Sequence, residues 1–197
     1  MDKYYTLKET GSSKYTEKMS RFLSFAIPVS TADEAKLLIK EYQNKYHDSR
    51  HVCWAYMLGP ERKEWQLNDN GEPSGTAGKP ILGQINSAGI TDSLVIVVRY
   101  FGGIKLGTSG LTAAYREAAR LAIDDAGIKE CRLMERCVVE FSYECADRIM
   151  KIIKHPDVNI MRKEFNNICK AEIEYPADMS KEIRGRMSGV EGTMISC

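Results

Sequence analysis

Hydrophobic and polar positions follow two different periods along this 197-residue chain. The run Leu94–Val98 is short, apolar and mostly β-branched, which predicts a strand over Ser93–Phe101 that is buried on both faces of a sheet. Apolar positions after Leu111 then repeat at helical spacing, and Gly127 is suited to end that helix. The same two periods predict the other elements of the first half: strands at Tyr4–Leu7, Phe22–Val29, His51–Leu58 and Glu64–Leu67, and helices after a capping box at Thr31 and around Lys79–Ser87. After Tyr4–Leu7, the polar segment up to Ser20 is predicted to be a loop.

The pattern changes after Lys129. Strands are predicted at Val138–Tyr143, Val158–Phe165, Ile168–Tyr175 and Gly192–Cys197, and helices at Cys145–Ile153 and Asp178–Met187. Asn166 and Asn167 suit a two-residue turn between the middle strands. The order β-α-β-β-α-β is that of a ferredoxin-like unit whose helices cover one sheet face and leave the other open to a partner. The chain is therefore predicted to be α+β with two domains, residues 1–130 and 131–197.

Two glycine-rich segments, Gly71–Gly78 and Gly102–Gly110, flank the central strand and each precedes a helix. Such segments are expected where the backbone needs positive φ or a partner approaches closely. Thr108 or Ser109 is predicted to cap the second helix. A strand, a glycine-rich turn and a helix N-terminus aim backbone N–H groups at one point, so the two loops are predicted to form a single anion-binding surface. The alternative is that the turns only allow close packing of helix on sheet.

The second segment does not match a phosphate-binding P-loop, because Thr108 stands where that motif requires lysine. Glu72 is predicted either to cap the following turn or to act as an acid or base in a cleft between the loops. Arg99, at the end of the central strand, is predicted either to pair with Glu72 or to bind an incoming phosphate.

Histidine and cysteine residues upstream allow two weaker hypotheses. As metal ligands, His47 and His51 would have to lie on the same face of one continuous helix. The strand pattern begins at His51 and does not favour such a helix. Cys53 shares a strand face with His51 and could form a nucleophile pair with it, but no third group to orient the base is identifiable. A structural or surface role is the preferred interpretation for these residues.

Composition narrows the class of protein. Twenty-eight Lys and Arg residues against 27 Asp and Glu give a net charge of +1, so contact with nucleic acid would have to come from a local patch of cations. The six cysteines show no metal-ligand spacing and are predicted to be reduced. The absence of a leader-like or membrane-spanning pattern predicts a cytosolic protein without membrane contact. We predict no metal and no cofactor.

The segments DNGEPSGTAGKPIL and VVRYFGGIKLGTSGL, with HDSRHVCWAY upstream, resemble the YigZ/IMPACT family over most of Lys18–Ala126. The resemblance implies a first domain with the α/β fold of a small-subunit ribosomal protein domain also found in elongation factor G. It also implies a ferredoxin-like second domain, a link to regulation of translation, and no accepted enzymatic activity. His51 and Cys53 match recurring positions of the family.

Residues and resemblance together predict a non-enzymatic binding protein that contacts the ribosome, RNA or a translation factor. The alternative is a small hydrolase or transferase that acts on a phosphorylated substrate, with Glu72 as its acid or base. The predicted binding residues are His51, Gly71, Glu72, Ser74, Thr76, Lys79, Arg99, Tyr100, Gly102, Gly103, Lys105, Thr108 and Ser109.

Overall fold

A computed structural model describes residues 3–197, which divide into two compact units. The N-terminal unit is Tyr4–Cys131, and the C-terminal unit is Arg132–Cys197 together with Lys3. Helices and strands are mixed in both, as the α+β prediction requires. The likeness of the first domain to a ribosomal-protein domain and of the second to ferredoxin-like domains stays a prediction, and so do the boundaries 1–130 and 131–197.

The N-terminal unit contains a five-stranded antiparallel sheet in the order β2-β3-β6-β4-β5. A separate pair, β1 with β7, joins its two ends. The elements are β1 (Lys3–Leu7), β2 (Gly11–Glu17), β3 (Ser20–Pro28), α1 (Ala32–Lys45), β4 (His51–Leu58), β5 (Glu64–Asn68), α2 (Gly78–Ser87), β6 (Ser93–Tyr100), α3 (Gly107–Ala126) and β7 (Ile128–Arg132).

Strand β6 lies at the centre of this sheet and is buried on both faces, as predicted. Val95 and Val97 pack in the core formed with α2 and α3. Leu94, Ile96 and Val98 pack in the core formed with α1 on the opposite face. Each such side chain contributes about 2 kcal/mol when fully buried, so the five together fix this strand firmly. Because side chains alternate along the strand, Arg99 lies on the same face as Val95 and Val97 and projects toward α2 and α3.

The prediction of a loop before Ser20 is wrong for Gly11–Glu17, which forms the edge strand β2 paired with β3. Its side chains alternate between exposed and half-buried, as suits an edge strand. Lys18 and Met19 make the hairpin turn with φ of 43° and 66°. Turns of this kind usually carry Asn or Gly, and the absence of both removed the hairpin signal from the sequence.

Two of the predicted helix ends are confirmed. The Thr31 hydroxyl accepts a hydrogen bond from the Glu34 amide at 3.2 Å and caps α1, while the Glu34 carboxylate accepts one from Ser30 N. Helix α3 ends at Gly127, whose φ is 65°. This left-handed conformation carries a steric penalty for residues with a Cβ, which explains glycine at this position.

The C-terminal unit has the predicted order β-α-β-β-α-β. Its elements are β8 (Met134–Phe141), α4 (Ala146–Ile153), β9 (Asn159–Phe165), β10 (Cys169–Pro176), α5 (Ser180–Ser188) and β11 (Thr193–Ser196), and the sheet order is β11-β8-β10-β9. Residues 166–168 connect β9 to β10, one residue more than predicted. Both helices pack into one core on the same face of the sheet.

The opposite face of this sheet is mostly charged. Ion pairs cross it between Arg136 and Glu174 at 2.9 Å and between Lys170 and Glu140 at 3.1 Å. Arg162 and Glu164 on β9 form a further pair. Paired charges thus cover much of this face, beside the exposed side chain of Met194. None of the helices within residues 3–197 is both long enough and apolar enough to cross a membrane.

Candidate functional site

A cavity of about 460 Å³ lies in the N-terminal unit, beside the end of β6 and the first turn of α3. Its walls come from the start of β4, the first glycine-rich loop, the end of β6 and the second glycine-rich loop. The lining residues are Arg50, His51, Glu72, Pro73, Arg99, Phe101, Lys105, Leu106, Gly107, Thr108 and Leu111. Both loops therefore reach one cavity.

A buried ion pair between Glu72 and Arg99 forms the floor of this cavity. Arg99 Nη1 donates to Glu72 Oε1 at 2.6 Å, and the side chains are only 6% and 3% exposed. The Tyr115 hydroxyl donates to the same oxygen at 2.8 Å. A buried charge is tolerated when it is paired and hydrogen-bonded. Of the two roles predicted for Arg99, pairing with Glu72 is the one seen in the structure.

The Arg99 guanidinium is held between two aromatic rings. Its central carbon lies 5.6 Å from the centre of the Phe22 ring and 5.7 Å from that of Phe101. Nη2 reaches Ser20 Oγ at 3.4 Å, while Nε is buried without an acceptor among the described residues. Phe101 remains half exposed, so its ring borders both the arginine and the solvent.

His51 has both ring nitrogens directed at other groups. Nδ1 lies 2.8 Å from the carbonyl oxygen of Asn70, so this nitrogen carries a proton. Nε2 lies 3.8 Å from Glu72 Oε2. A protonated His51 would thus pair with Glu72, which leaves no ring nitrogen directed at a substrate. This arrangement favours a structural role for His51 over that of a general base.

Cys53 and Tyr115 lie behind Glu72 in the core. Burial raises the pKa of the Cys53 thiol to about 12, the largest cause being desolvation. The Cys53 thiol donates to the Asp69 carbonyl at 3.0 Å. Burial, reinforced by the nearby Cys53 and Glu72, also raises the pKa of Tyr115. A thiol that stays protonated is a poor nucleophile, so the hypothesis of a Cys53–His51 nucleophile pair gains no support.

The first glycine-rich loop uses most of its backbone N–H groups internally. The Asp69 carboxylate accepts hydrogen bonds from the amides of Gly75, Ala77 and Gly78 at 2.8, 3.1 and 2.8 Å. The Thr76 amide donates to the Pro73 carbonyl. Asp69, and not Glu72, is therefore the residue that caps this turn, and the prediction that both loops offer amides to one anion is wrong for this loop.

Replacement of Asp69 by alanine tests this capping role. Three amides lose a charged acceptor, so we expect Asp69→Ala to lower the free energy of unfolding of the N-terminal unit by about 2 kcal/mol. The matched control is Thr31→Ala, which removes a cap of one hydrogen bond and is expected to lower it by about 1 kcal/mol. Urea unfolding followed by tryptophan fluorescence reports this unit, because both tryptophans, Trp54 and Trp65, lie in it. Equal effects of the two substitutions would contradict the threefold acceptor role.

In the second glycine-rich loop the Gly102 amide donates to Ser20 Oγ, and the free amides are those at the start of α3. Helix α3 begins at Gly107 with Leu106 at the cap position, and no side chain caps it; the predicted caps Thr108 and Ser109 lie inside its first turn. The N–H groups of the first turn have no acceptor within a helix. Those of residues 106–109 also have none elsewhere in the part of the chain that the structure describes. The positive end of α3 thus faces the cavity without a side-chain cap.

Of the predicted binding residues, the cavity brings together His51, Glu72, Arg99, Lys105 and Thr108. Tyr100 projects from the opposite face of the sheet and donates a hydrogen bond to Asp48. Lys79 lies in a separate groove between α2 and α3, with Arg116. The remaining predicted residues do not line the cavity: Gly71, Ser74, Thr76, Gly102, Gly103 and Ser109. Of these, Thr76 and Gly102 form hydrogen bonds, and Gly71 and Gly103 have positive φ.

Sequence reasoning missed four residues that build the site. Arg50 and Phe101 line the cavity, Tyr115 bonds Glu72, and Asp69 caps the first loop. Asp69 had a usable signal, because aspartate shortly before a glycine turn commonly accepts from amides of that turn. Tyr115 had none, since a tyrosine at a helical core position is equally well explained by packing. No group of three or more metal-ligating side chains occurs within residues 3–197.

The chain is similar to known proteins over most of its length. The model of the Impact N-terminal domain matches residues 18–123. The IMPACT family member YvyE of Bacillus subtilis is 38% identical over 131 residues, 66% of this chain and 60% of that protein. The IMPACT family member YigZ of Escherichia coli is 28% identical over 173 residues, 87% of this chain and 85% of that protein. The matched part thus spans less than two thirds of YvyE.

A solved structure of a hypothetical protein resembles the whole chain. It superposes with a TM-score of 0.79 at 25% identity and covers 99% of this chain and 97% of its own. The similarity therefore extends over both units and is not restricted to the segment that the domain model matches.

Proposed function

Because the chain belongs to the Impact N-terminal domain family, we propose that it is a non-enzymatic binding protein linked to regulation of translation. It acts by contact with RNA on the ribosome, through the cavity at the start of α3. Its resemblance to the YigZ/IMPACT family supports the link to translation. The cavity supports the choice of RNA, whose phosphates are anions, over an uncharged partner.

One observation carries the proposal: the uncapped first turn of α3 opens on a cavity with an excess of cations. Arg50 and Lys105 are exposed and have no ion-pair partner among the described residues. Together with Arg99 they set three cations against the single carboxylate of Glu72 in the cavity lining. Free N–H groups, the helix dipole and unpaired cations favour an anion at the same point.

Phe101 adds a second element of recognition. Its ring is half exposed at the rim of the cavity and is backed by Arg99. An aromatic ring next to a phosphate-binding point suits an unpaired base, which gains about 1–3 kcal/mol by stacking. The cavity volume is that of a small-molecule site, so it would admit one nucleotide and not a duplex.

The alternative function, a hydrolase or transferase with Glu72 as acid or base, has less support. Glu72 Oε1 already accepts hydrogen bonds from Arg99 and Tyr115, and its other oxygen faces His51. These bonds hold Glu72 as a partner for neighbouring side chains. The geometry is that of a carboxylate that positions Arg99, not of one presented to a substrate.

Co-sedimentation with ribosomes at moderate salt tests the proposal. We expect the double variant Arg50→Ala/Lys105→Ala to lose at least tenfold in affinity, and its plot of log K against log salt to be shallower by about 1.4. Both residues are exposed, so the fold is expected to persist. The matched control is Lys14→Ala/Lys40→Ala, which removes the same charge from exposed positions outside the cavity. If both variants lose ribosome binding to the same extent, only the net charge of the protein matters and the proposed binding site is wrong.

A further inference from the structure

Cys137 and Cys197 occupy facing positions in the C-terminal unit. Strand β11 pairs with β8 in an antiparallel register that places Thr193 opposite Phe141 and Ser196 opposite Val138. The same register continued by one residue places Cys197 opposite Cys137. Directly opposed residues project to the same face of a sheet, with Cβ atoms about 4.5–5.5 Å apart.

The Cα spacing of this placement suits a disulfide. Opposed residues of an antiparallel pair have Cα atoms about 4.5 or 5.5 Å apart, within the range of about 4.4–6.8 Å that a disulfide spans. The Cys137 thiol interacts with the thiol of Cys197 and with the hydroxyl of Tyr175. All six cysteines are free thiols in the structure.

The two thiols differ in access to solvent. Cys197 is exposed, whereas Cys137 is only 2% exposed and burial raises the pKa of its thiol to about 11. A reagent from solution therefore meets Cys197 first, and Cys137 reacts only with a group that Cys197 carries. Arg184, which is paired with Glu135 at 2.6 Å, lies near both thiols.

We propose that Cys137 and Cys197 are a reversible oxidation site that takes a hydroperoxide as its oxidant. The Cys197 thiolate attacks one peroxide oxygen, which breaks the O–O bond, forms a sulfenic acid and, with a proton, releases water. The Cys137 sulfur then attacks the sulfenic sulfur, the S–S bond forms as the S–O bond breaks, and the hydroxide that leaves takes up the Cys137 proton to give a second water. Two thiols and one hydrogen peroxide thus give one disulfide and two waters, and a dithiol reductant reverses the change.

The disulfide would fasten an otherwise weakly held strand. β11 is four residues long and lies at the edge of the sheet, paired only with β8. Short edge strands open readily because few contacts hold them. A cross-link between positions 137 and 197 closes almost the whole unit into one loop, which restricts its unfolded state.

Stoichiometric hydrogen peroxide followed by thiol alkylation and peptide mapping tests this site. We expect the oxidised wild-type protein to lose two hydrogens in mass, to give a peptide in which Cys137 is linked to Cys197, and to recover with dithiothreitol. Hydrogen exchange of residues 193–196 should slow at least tenfold on oxidation. The link should form equally at low and high protein concentration, because it is intramolecular.

Two single variants make the outcome decisive. Cys197→Ser alters an exposed side chain, so it should fold normally and show no loss of hydrogens. Cys145→Ser, in the same unit but away from the pair, should oxidise like the wild type. Six free thiols after peroxide treatment, a link between Cys197 residues of two molecules, or sulfinic acid at Cys197 in place of a disulfide would each overturn the proposal.

Discussion

Replacement of Arg99 by methionine lowers the free energy of unfolding of the N-terminal unit by about 3–5 kcal/mol, because it leaves the Glu72 carboxylate buried without its cation. Glu72 is 3% exposed, and its remaining donor is the Tyr115 hydroxyl. Methionine has a similar length to the arginine stem, so lost packing against Phe22 is a minor part of the effect. Denaturant unfolding followed by tryptophan fluorescence measures the change in this unit.

Two further variants separate the charge effect from packing. Arg99→Met/Glu72→Gln removes both charges and keeps the volume, so we expect it to regain more than half of the stability that Arg99→Met loses. Arg99→Lys keeps the charge but loses the planar fork that bonds Glu72 and reaches Ser20, and we expect an intermediate loss. If the double variant is no more stable than Arg99→Met, the pair does not act as a buried charge couple.

Replacement of Gly102 by alanine is expected to lower the free energy of unfolding by about 3 kcal/mol, because there is no space for the added Cβ. It would lie 2.1 Å from the carbonyl carbon of Met19 and 2.4 Å from Ser20 N, which are both backbone atoms. Relief of this contact would separate β6 from the β2–β3 hairpin and would break the hydrogen bond from Gly102 N to Ser20 Oγ. The melting temperature of the N-terminal unit provides the measurement.

Gly103 supplies the matched control for this substitution. An alanine Cβ there would meet nothing within 4 Å, but its φ of 88° is unfavourable for residues with a side chain. We expect Gly103→Ala to cost about 1 kcal/mol, from backbone strain alone. If Gly102→Ala lowers the stability less than Gly103→Ala does, the steric role of Gly102 is contradicted.

These expectations bear on binding as well as on stability. Glu72, Tyr115 and the two aromatic rings fix Arg99 at the floor of the cavity. Lys105 and Arg50, in contrast, are free to meet a ligand. Variants of Arg99 should therefore lose binding together with stability, whereas variants of Arg50 and Lys105 should lose binding alone. The two kinds of cation have different functions, although the sequence presents them alike.

The sequence by itself determined the elements whose signals are local. The apolar run Leu94–Val98 specified a strand buried on both faces, and the glycine at position 127 specified a helix end. Positive φ, one of the two reasons expected for the glycine-rich segments, is confirmed at Gly71, Gly75, Gly103 and Gly107. These predictions succeed because side-chain periodicity and steric limits on φ act over a few neighbouring residues.

Only the tertiary structure decided which polar groups meet. Arg99 and Glu72 are 27 residues apart, and the fold pairs them because one ends a central strand while the other lies in a loop beside it. Asp69 takes the amides of the first loop, so only the second loop keeps free N–H groups at the cavity. A polar side chain forms hydrogen bonds with the groups that the folded backbone brings within about 3 Å. The separation of two residues along the sequence does not predict whether they meet.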